Sequence, residues 1–494
     1  MLKSSPITDN FLTEERLLKW GLVLAIAFLL LINFSRILYP YDTGIYEGCI
    51  WAPANVISQG TNVYTMSFTT NPPYVMSPYG VFYYALIGMG LKLFGFQFWV
   101  GRLLSLLCAI LSTLCICKLT LHFTRDKALT RLSALLFLAQ IPLQLWIGVQ
   151  RPDLIALTLS LAGITISLTA HLQAGKNKKI LLTALSALLL TLAILTRQTV
   201  ILPVLVVSWW YFRNHAYRSL FLFLCLTAIF LFPIMAWLNY TSDGGYLMQQ
   251  FLIQTGGEKN IHLTFTLLQV FIQSTSLFIF LLWVIAIGSK ENTNSVSPKS
   301  AFENNSALYR TTLLLYGIFS FMLALVSSIH PGASINYYLE VTVVLSLIVP
   351  LYWSRVQKTL RLTKYYRLCL AVIILSLSFW GIRICKGEYD RWKALPYYNE
   401  IISVIKQKTP VNQPVYSEYP ELAVLAGRPC YFNDFCQYNG RAPVQHQIVE
   451  NNLHTGVFSA IIISDSNVMN GYYRFPISEP IPYKFYVVYL YLKK

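Results

Sequence analysis

The two carboxylates after the first hydrophobic segment are the residues of this sequence best suited to acid–base chemistry. Asp42 and Glu47 lie in YPYDTGIYEG, directly after an apolar run that ends near Leu38. Ionisable side chains at a membrane edge are costly unless they face a water-filled cavity or a partner of opposite charge. A carboxylate held in such a cavity acts as a general base. The pair therefore predicts a reaction centre just beyond this segment.

Arginines at the edges of later hydrophobic segments supply the opposite charge. Arg151 and Asp153 lie in GVQRPDL, and Arg197 precedes Gln198 in ILTRQTV. A guanidinium group binds a phosphate through two parallel hydrogen bonds and stabilises negative charge that develops during a reaction. One interpretation is a cavity that holds an anionic ligand on arginines and reacts it beside a carboxylate. The alternative is that these charges, Asp42 included, form ion pairs that only stabilise loop packing.

The composition predicts a polytopic membrane protein. Of the 494 residues, 55% are hydrophobic and 12% are charged, and the mean hydropathy is +0.52. A hydrocarbon core of ~30 Å is crossed by roughly 20 apolar residues, and about eleven stretches of this kind occur. The first stretch, Leu17 to Leu38, has no small-residue cleavage site and is interpreted as an anchor. The expected fold is an all-α bundle of about eleven transmembrane helices.

Basic residues in short loops predict the orientation. If the segment from Pro78 to Gly95 crossed the membrane, the basic loop from Lys118 to Arg131 would lie opposite the basic N-terminus. If that segment instead lies in the membrane interface, the basic loops share one side, as the positive-inside rule requires. We therefore expect a cytoplasmic N-terminus. The net charge of +17 follows largely from this arrangement and indicates no nucleic-acid partner.

The last part of the chain changes character. An odd number of crossings places the residues from about Arg383 onward outside the cell. This region is less hydrophobic and alternates short apolar runs with turns. The segments PVYSE, FSAIIIS and KFYVVYL read as strands, and RWKALPYYNEIISVIKQK reads as a helix before them. We expect a transmembrane domain at 1–385 and a small extracytoplasmic α/β domain at 386–494.

Several short motifs follow one another along the chain. DTGIYEG comes after the first crossing, then Gly60, NPPYVMSPYG and LFGFQFWVGRLLS; RPD, TRQT and HPGASINYYLE follow in later loops. In this order the motifs resemble the GT-C integral-membrane glycosyltransferases. The likeness is to family 39-like enzymes related to bacterial lipid A aminoarabinose transferases and protein O-mannosyltransferases. The resemblance spans most of the chain and implies a plasma (inner) membrane location.

The resemblance implies transfer of a sugar from a polyprenyl-phosphate carrier to a lipid, glycan or protein acceptor on the outer face. Asp42 would take the proton of the acceptor hydroxyl, with inversion at the anomeric carbon, and Arg151 and Arg197 would bind the departing phosphate. Two departures stand out. The first motif has no adjacent acidic pair, and the proline-rich stretch has Asn71 where a KPP pattern has lysine. Phosphate binding then falls on Lys92, Arg151 or Arg197.

The expected site residues come from the first loop and from the segment around HPGASINYYLE. Tyrosines of the first loop either stack on sugar or polyprenyl or belong to the interfacial aromatic belt. Glu340 is either a carboxylate favoured by a helix N-terminus or a substrate residue. A divalent metal on His330, Asp153 and Asp42 stays open. The full set is Asp42, Glu47 and Asp153 as catalytic; Lys92, Arg151, Arg197 and Gln198 for the donor phosphate; and Tyr46, Tyr74, His330, Asn336, Tyr337 and Glu340 in the cavity.

Two other classes of protein fit the composition. A transporter or flippase for a lipid-linked or anionic substrate also needs many crossings and arginines at the membrane edge. Such a protein typically shows paired halves with interrupted helices, and the sequence has no internal repeat. A structural assembly subunit predicts no clustering of Asp42, Asp153, Arg151 and Arg197. Distances between these residues distinguish the classes.

Overall fold

The computed structural model describes most of the chain, and most of the described residues are helical. The described residues are 14–43, 47–173, 175–252, 259–273, 301–330, 333–356, 360–417, 419–432, 451, 458–463, 472–474 and 489–493. The helices are α1 Glu14–Leu38, α2 Gly48–Ser58, α3 Ser67–Thr70, α4 Val81–Phe94, α5 Trp99–Thr124, α6 Lys127–Leu138, α7 Ile141–Trp146, α8 Asp153–Gln173, α9 Lys176–Ile194, α10 Leu202–Arg213, α11 Tyr217–Tyr240, α12 Ile261–Gln273, α13 Ala301–Ser327, α14 Leu339–Val356, α15 Leu360–Lys393, α16 Leu395–Lys408 and α17 Pro420–Leu425.

Seven helices within the described ranges are long and apolar enough to cross a membrane, judged by length and composition. Three shorter apolar helices, Val81–Phe94, Asp153–Thr169 and Ile261–Gln273, accompany them. The chain is a multi-pass membrane protein with an all-α membrane region, as the composition indicates. The count of about eleven crossings stays a prediction.

Small and hydroxylated residues bring neighbouring membrane helices together. Between α8 and α9, the Ser186 hydroxyl lies 2.8 Å from the Gly163 carbonyl oxygen and 2.7 Å from the Ser167 hydroxyl. Between α5 and α8, the hydroxyls of Ser112 and Thr158 lie 2.8 Å apart. Such contacts suit a lipid environment, where packing of small residues and interhelical hydrogen bonds replace the hydrophobic effect between helices.

The segment between the first two long helices folds back on itself. α4 packs against α2, and a Cβ atom at Gly88 would lie 2.8 Å from the Ala54 carbonyl oxygen, so the two helices approach closely. The 14 residues of α4 span about 21 Å at 1.5 Å per residue, less than the ~30 Å of a hydrocarbon core. This length agrees with the interfacial placement, which stays a prediction.

The described residues of the C-terminal region form a five-stranded mixed sheet in the order β2-β1-β3-β5-β4. β1 pairs in parallel with β2 and β3, and β5 pairs antiparallel with β3 and β4. The strands include parts of the predicted PVYSE and FSAIIIS segments. α16 covers most of the predicted helix RWKALPYYNEIISVIKQK, whose first residues belong to the end of α15, and most of the predicted strand KFYVVYL lies outside the described residues. α15 runs unbroken through residue 385, so the domain boundary there stays a prediction. The strands are β1 Val415–Ser417, β2 Cys430–Phe432, β3 Ala460–Ile463, β4 Tyr472–Arg474 and β5 Tyr489–Lys493.

The C-terminal domain packs directly on the chain that leaves α1. Buried Tyr39 and Tyr41 share an apolar cluster with Tyr398, Ile401 and Leu422 of the C-terminal domain. The Tyr41 hydroxyl also lies 2.5 Å from the Asn399 side-chain oxygen. The sheet domain therefore covers the segment that carries Asp42.

Candidate active site

Asp42 is partly exposed and is held in place through its main chain and its carboxylate. Its Oδ2 accepts a hydrogen bond of 3.1 Å from the Gly48 N–H at the start of α2. Its own N–H donates a hydrogen bond of 3.1 Å to Oε1 of Glu421 in the C-terminal domain. A carboxylate with a fixed orientation and access to solvent can accept a proton from a bound hydroxyl group.

Glu47 is fully buried, and its carboxylate is surrounded by donors. Arg102 donates to both of its oxygens, at 2.9 and 2.6 Å. The Thr43 N–H and hydroxyl lie 3.0 and 3.1 Å from Oε2, and the Gln150 N–H lies 2.6 Å from Oε1. Burial raises the pKa of Glu47, but Arg102 and the two backbone N–H groups outweigh it and hold the pKa below its ordinary value. With five donors, Glu47 suits a positioning role better than proton transfer.

Arg102 also hydrogen-bonds to the backbone between the end of α1 and Asp42. Its guanidinium donates to the carbonyl oxygens of Arg36, Tyr39 and Tyr41, the first at 2.6 Å and the last at 2.5 Å. The side chain is completely buried. Arg102 was not among the expected site residues, although a charged residue three positions into an apolar helix is a signal that could have identified it.

A second buried ionic network joins α1, α15 and the same loop. Glu388 of α15 accepts from Arg36 Nε at 2.8 Å and also pairs with Arg391. Arg391 in turn donates a 2.9 Å hydrogen bond to the Thr43 carbonyl oxygen. Thr43, the residue after Asp42, is therefore fixed at both backbone groups. Its N–H donates to Glu47, and its carbonyl oxygen accepts from Arg391.

Asp153 and Arg197 form a buried ion pair at the start of α8. Asp153 also accepts from the Trp146 indole N–H at 2.8 Å and from the Asn336 side-chain amide at 2.7 Å. The Arg197 guanidinium lies 4.7 Å from the centre of the Tyr337 ring, a cation–π distance. Residues that the sequence predicts in three separate loops, represented by Asp153, Arg197 and Asn336, therefore lie together here.

Tyr79 connects Arg151 to this group and was missed by the sequence analysis. Arg151 donates to its hydroxyl group, with the guanidinium 5.1 Å from the centre of its ring. Burial raises the pKa of Tyr79, while the charges of Arg151 and Arg197 lower it. The charge of Asp42 likewise acts on Arg151. One tyrosine hydroxyl thus lies within the fields of both arginines expected to bind a phosphate.

The backbone around Tyr79 reaches the Arg197 turn because of a glycine. The Gly80 N–H donates a 3.2 Å hydrogen bond to the Thr196 carbonyl oxygen, and a Cβ atom at Gly80 would lie 2.0 Å from the Leu195 carbonyl oxygen. Gln198 donates to the Pro78 carbonyl oxygen at 3.1 Å and to that of Gln250 at 3.0 Å. Gln198 therefore fixes the loop that carries Tyr79.

A cavity of about 40 Å³ opens beside the Asp153–Arg197 pair. The Glu340 carboxylate reaches it from the first turn of α14 and accepts a 3.3 Å hydrogen bond from the Ser320 hydroxyl of α13. Glu340 thus lines the cavity and also lies at a helix N-terminus, so its role as a substrate residue stays a prediction. The polar and aromatic lining residues are Asp153, Arg197, Thr199, Ser320, Ser327, Asn336, Tyr337 and Glu340.

Other expected residues lie elsewhere. Lys92 is exposed in the last turn of α4, about 16 Å along the helix from the end near Tyr79. Tyr74 is buried, and its ring centre lies 5.9 Å from that of Tyr431 in the C-terminal domain. His330 lies just after α13, and Tyr46 lies outside the described residues. The structure does not bring Lys92 to the two arginines.

A metal centre formed by His330, Asp153 and Asp42 is not assembled. Across the part of the chain that the structure describes, no group of three or more His, Cys, Asp or Glu side chains is placed to hold a metal ion. The charged groups around Asp42 and Asp153 instead neutralise one another through arginines.

No protein-family model matches this sequence, and no curated protein matches it. Solved structures do match. ArnT from Cupriavidus metallidurans bound to undecaprenyl phosphate is 13% identical, with a TM-score of 0.63 over 96% of this chain and 98% of that chain. The same protein in the apo state is 14% identical, with a TM-score of 0.59 over 90% and 92%. The archaeal oligosaccharyltransferase AglB from Archaeoglobus fulgidus, in complex with an inhibitory peptide and a dolichol-phosphate, is 14% identical, with a TM-score of 0.52 over 90% and 69%.

These similarities confirm the GT-C fold that the order of sequence motifs indicated. The match with ArnT extends over nearly the whole of both chains, so it includes the C-terminal domain as well as the membrane helices. The expected assignment of roles to individual site residues stays a prediction.

Proposed function

We propose that this protein is a glycosyltransferase that moves a sugar from a polyprenyl-phosphate carrier to an acceptor at the membrane surface, with Asp42 as the general base. The observation that carries the proposal is the position of Asp42. It is a partly exposed carboxylate, oriented by the Gly48 N–H, whose charge acts on the phosphate-binding candidate Arg151. The fold supports the carrier class, because the similar ArnT and AglB structures contain undecaprenyl phosphate and a dolichol-phosphate.

The reaction follows from these groups. Asp42 takes the proton of an acceptor hydroxyl as that oxygen attacks the anomeric carbon of the sugar. The bond between this carbon and the phosphate oxygen breaks from the opposite face, so the configuration inverts. The polyprenyl phosphate leaves with an additional negative charge. Arg151 and Arg197 bind this charge, and fixed guanidinium groups in a site with little water stabilise it most strongly.

The remaining charged residues position the general base, Asp42, and the phosphate-binding arginine, Arg197. Glu47 and Arg102 fix the loop around Asp42, whereas Asp153 and Asn336 orient Arg197. Tyr337 and Glu340 line the adjoining cavity, where a sugar hydroxyl can bond to Glu340. Asp153 is thus assigned to orienting the phosphate-binding arginine rather than to proton transfer.

The orientation derived from the basic loops completes the proposal. The N-terminus lies in the cytoplasm and the C-terminal domain outside, in the plasma (inner) membrane, so transfer takes place on the extracytoplasmic face. The acceptor is a lipid, a glycan or a protein that reaches this face. Membrane lipids surround the apolar helices, and nucleic acid has no part in the reaction.

The test is sugar transfer by purified protein in lipid bilayers, with a set of polyprenyl-phosphate sugars and extracted cell envelope as acceptor. Asp42→Asn keeps the size of the side chain but removes the base, so we expect transfer to fall by about 10²–10⁴-fold. The matched control is Asp243→Asn, which makes the same change at an exposed turn residue with φ 52°, a conformation that asparagine accepts.

Three outcomes bear on the proposal. Loss of transfer in folded Asp42→Asn, with normal transfer in Asp243→Asn, supports Asp42 as the base. Equal transfer by both variants moves the base to another residue. An absence of transfer from every donor by the wild-type protein contradicts the enzyme and favours a transporter, which flux of the same lipids in vesicles then measures.

A further inference from the structure

The C-terminal domain places a buried carboxyl group against the main chain of Asp42. Glu421, at the start of α17, is 1% exposed. Its Oε1 accepts the Asp42 N–H at 3.1 Å. Its Oε2 is buried without a hydrogen-bond partner among the residues that the structure describes. A buried carboxyl oxygen without a donor is costly when the group is ionised.

Among the described residues, the side chains with the largest effect on Glu421 are acidic. Asp42 and Glu47 raise its affinity for a proton by repulsion, and burial acts in the same direction. The Tyr41 phenol and the Cys430 thiol, from the loop after α1 and from β2, also lie within its field. Asp42 differs from Glu421 because it is partly exposed, accepts the Gly48 N–H and acts on Arg151. Two neighbouring carboxyl groups share one proton when both cannot ionise cheaply.

We propose that Glu421 is a positioning residue for the transfer reaction: its carboxyl group holds the main chain of Asp42 and carries the proton of the pair, so that Asp42 keeps its negative charge. This inference rests on the proposed function of Asp42 as base. Burial and the charge of Asp42 raise the pKa of Glu421 to about 8, in agreement with a protonated Glu421 at neutral pH. The C-terminal domain thus completes the site instead of only covering it.

The first test measures the proton directly by infrared titration of the whole protein in bilayers. In the difference spectrum of wild type minus Glu421→Gln, we expect a protonated carboxyl band that disappears near pH 8; the same subtraction with Glu400→Gln, a matched change elsewhere in this domain, should give no such band. Asp42→Asn removes the repelling charge, so the midpoint of the band should move to lower pH. A difference spectrum without this band, or a midpoint unmoved by Asp42→Asn, overturns the shared proton.

The second test separates the hydrogen bond from the charge by kinetics. Glutamine keeps an oxygen that accepts the Asp42 N–H, so at pH 7 Glu421→Gln should retain most of the kcat that Glu421→Ala loses. Above pH 8 the wild-type Glu421 ionises and makes Asp42 a stronger base, so its kcat should rise relative to that of Glu421→Gln. Glu421→Ala loses the acceptor and lets Asp42 shift, which should lower kcat by roughly 10²-fold while KM for the donor stays nearly constant.

These outcomes distinguish the inference from the proposed function. Normal kcat in Glu421→Ala, or equal losses in the Gln and Ala variants at every pH, contradicts a positioning role while transfer by the wild type still stands. An absence of transfer by the wild type contradicts the enzyme, and the infrared titration then still decides whether Asp42 and Glu421 share a proton.

Discussion

The loop around Asp42 and the cavity beside Asp153 are both built from charged residues, but they use those charges differently. In the loop, Arg102 and Glu47 are fully buried and bind each other and the backbone, whereas Asp42 is partly exposed. Beside Asp153, the ion pair with Arg197 borders an open cavity, and Glu340 lines it from another helix. Fully buried charges stabilise a backbone conformation, whereas charges that line a cavity can bind a ligand.

The largest expected effect comes from disrupting the buried pair of Glu47 and Arg102. Arg102→Met leaves the buried Glu47 without its partner, which should destabilise the protein by about 3–5 kcal/mol. The control is Arg131→Met, whose exposed pair with Glu15 contributes about 0–1 kcal/mol. Thermal unfolding in detergent measures both. A second change, Glu47→Gln, should restore part of the stability of Arg102→Met, and equal melting of the two single variants would refute an enclosed clamp.

The next effect concerns the cavity side of the comparison. Arg197→Gln removes a donor to the departing phosphate, so kcat/KM for the donor should fall by about 10²–10³-fold. The change also leaves the buried Asp153 without its ionic partner, so thermal unfolding should show a loss of stability of up to about 3–5 kcal/mol alongside the loss of activity. Arg197→Lys should not restore activity, because an ammonium group cannot form the paired hydrogen bonds of a guanidinium. Arg213→Gln, at the end of α10, is the matched control. Full activity in Arg197→Gln would assign phosphate binding elsewhere.

A smaller effect tests the link between the two regions. Tyr79→Phe removes the hydroxyl that accepts from Arg151 but keeps the ring beneath its guanidinium. A lost hydrogen bond to a charged group is worth about 1.5–3 kcal/mol at most, so kcat/KM should fall by roughly 10-fold. Tyr240→Phe, at a residue that is 83% exposed, should have no effect. Unchanged kinetics in Tyr79→Phe would separate Arg151 from the site.

The smallest effect is a pH dependence of stability at the contact between the domains. The folded protein keeps a proton on Glu421 up to about pH 8, whereas the unfolded chain releases it near the ordinary pKa of 4.5. Unfolding therefore releases a proton in this window, so the contribution of Glu421 to the free energy of unfolding falls as pH rises from 4.5 to 8. Glu421→Gln should flatten the dependence of the melting temperature on pH between about pH 4.5 and pH 8. An unchanged slope would contradict a buried, protonated Glu421.

The sequence predicted the membrane region, the mixed C-terminal domain and most members of the Asp153 group. Arg197 is a charge at the membrane edge, and Asn336 and Tyr337 belong to the HPGASINYYLE segment; the structure brings all three to one place. Lys92, expected for the donor phosphate because the KPP lysine is absent, lies exposed at the far end of α4. A charge at a helix end identifies a candidate, but the direction of its side chain depends on how the helix packs.

What the sequence determined by itself follows from local chemistry: long apolar runs must be helices in a bilayer, because every backbone polar group needs an internal partner there. What only the tertiary structure decided is which of two nearby carboxylates is enclosed and which is partly exposed. Asp42 and Glu47 are five residues apart and look equivalent in the sequence, yet Arg102 from α5 and Gln150 from the loop before α8 enclose Glu47. Glu421, 379 residues further along the chain, accepts a hydrogen bond from the Asp42 N–H. Such contacts between distant residues have no local signal, because they arise only when helices and the sheet domain pack together.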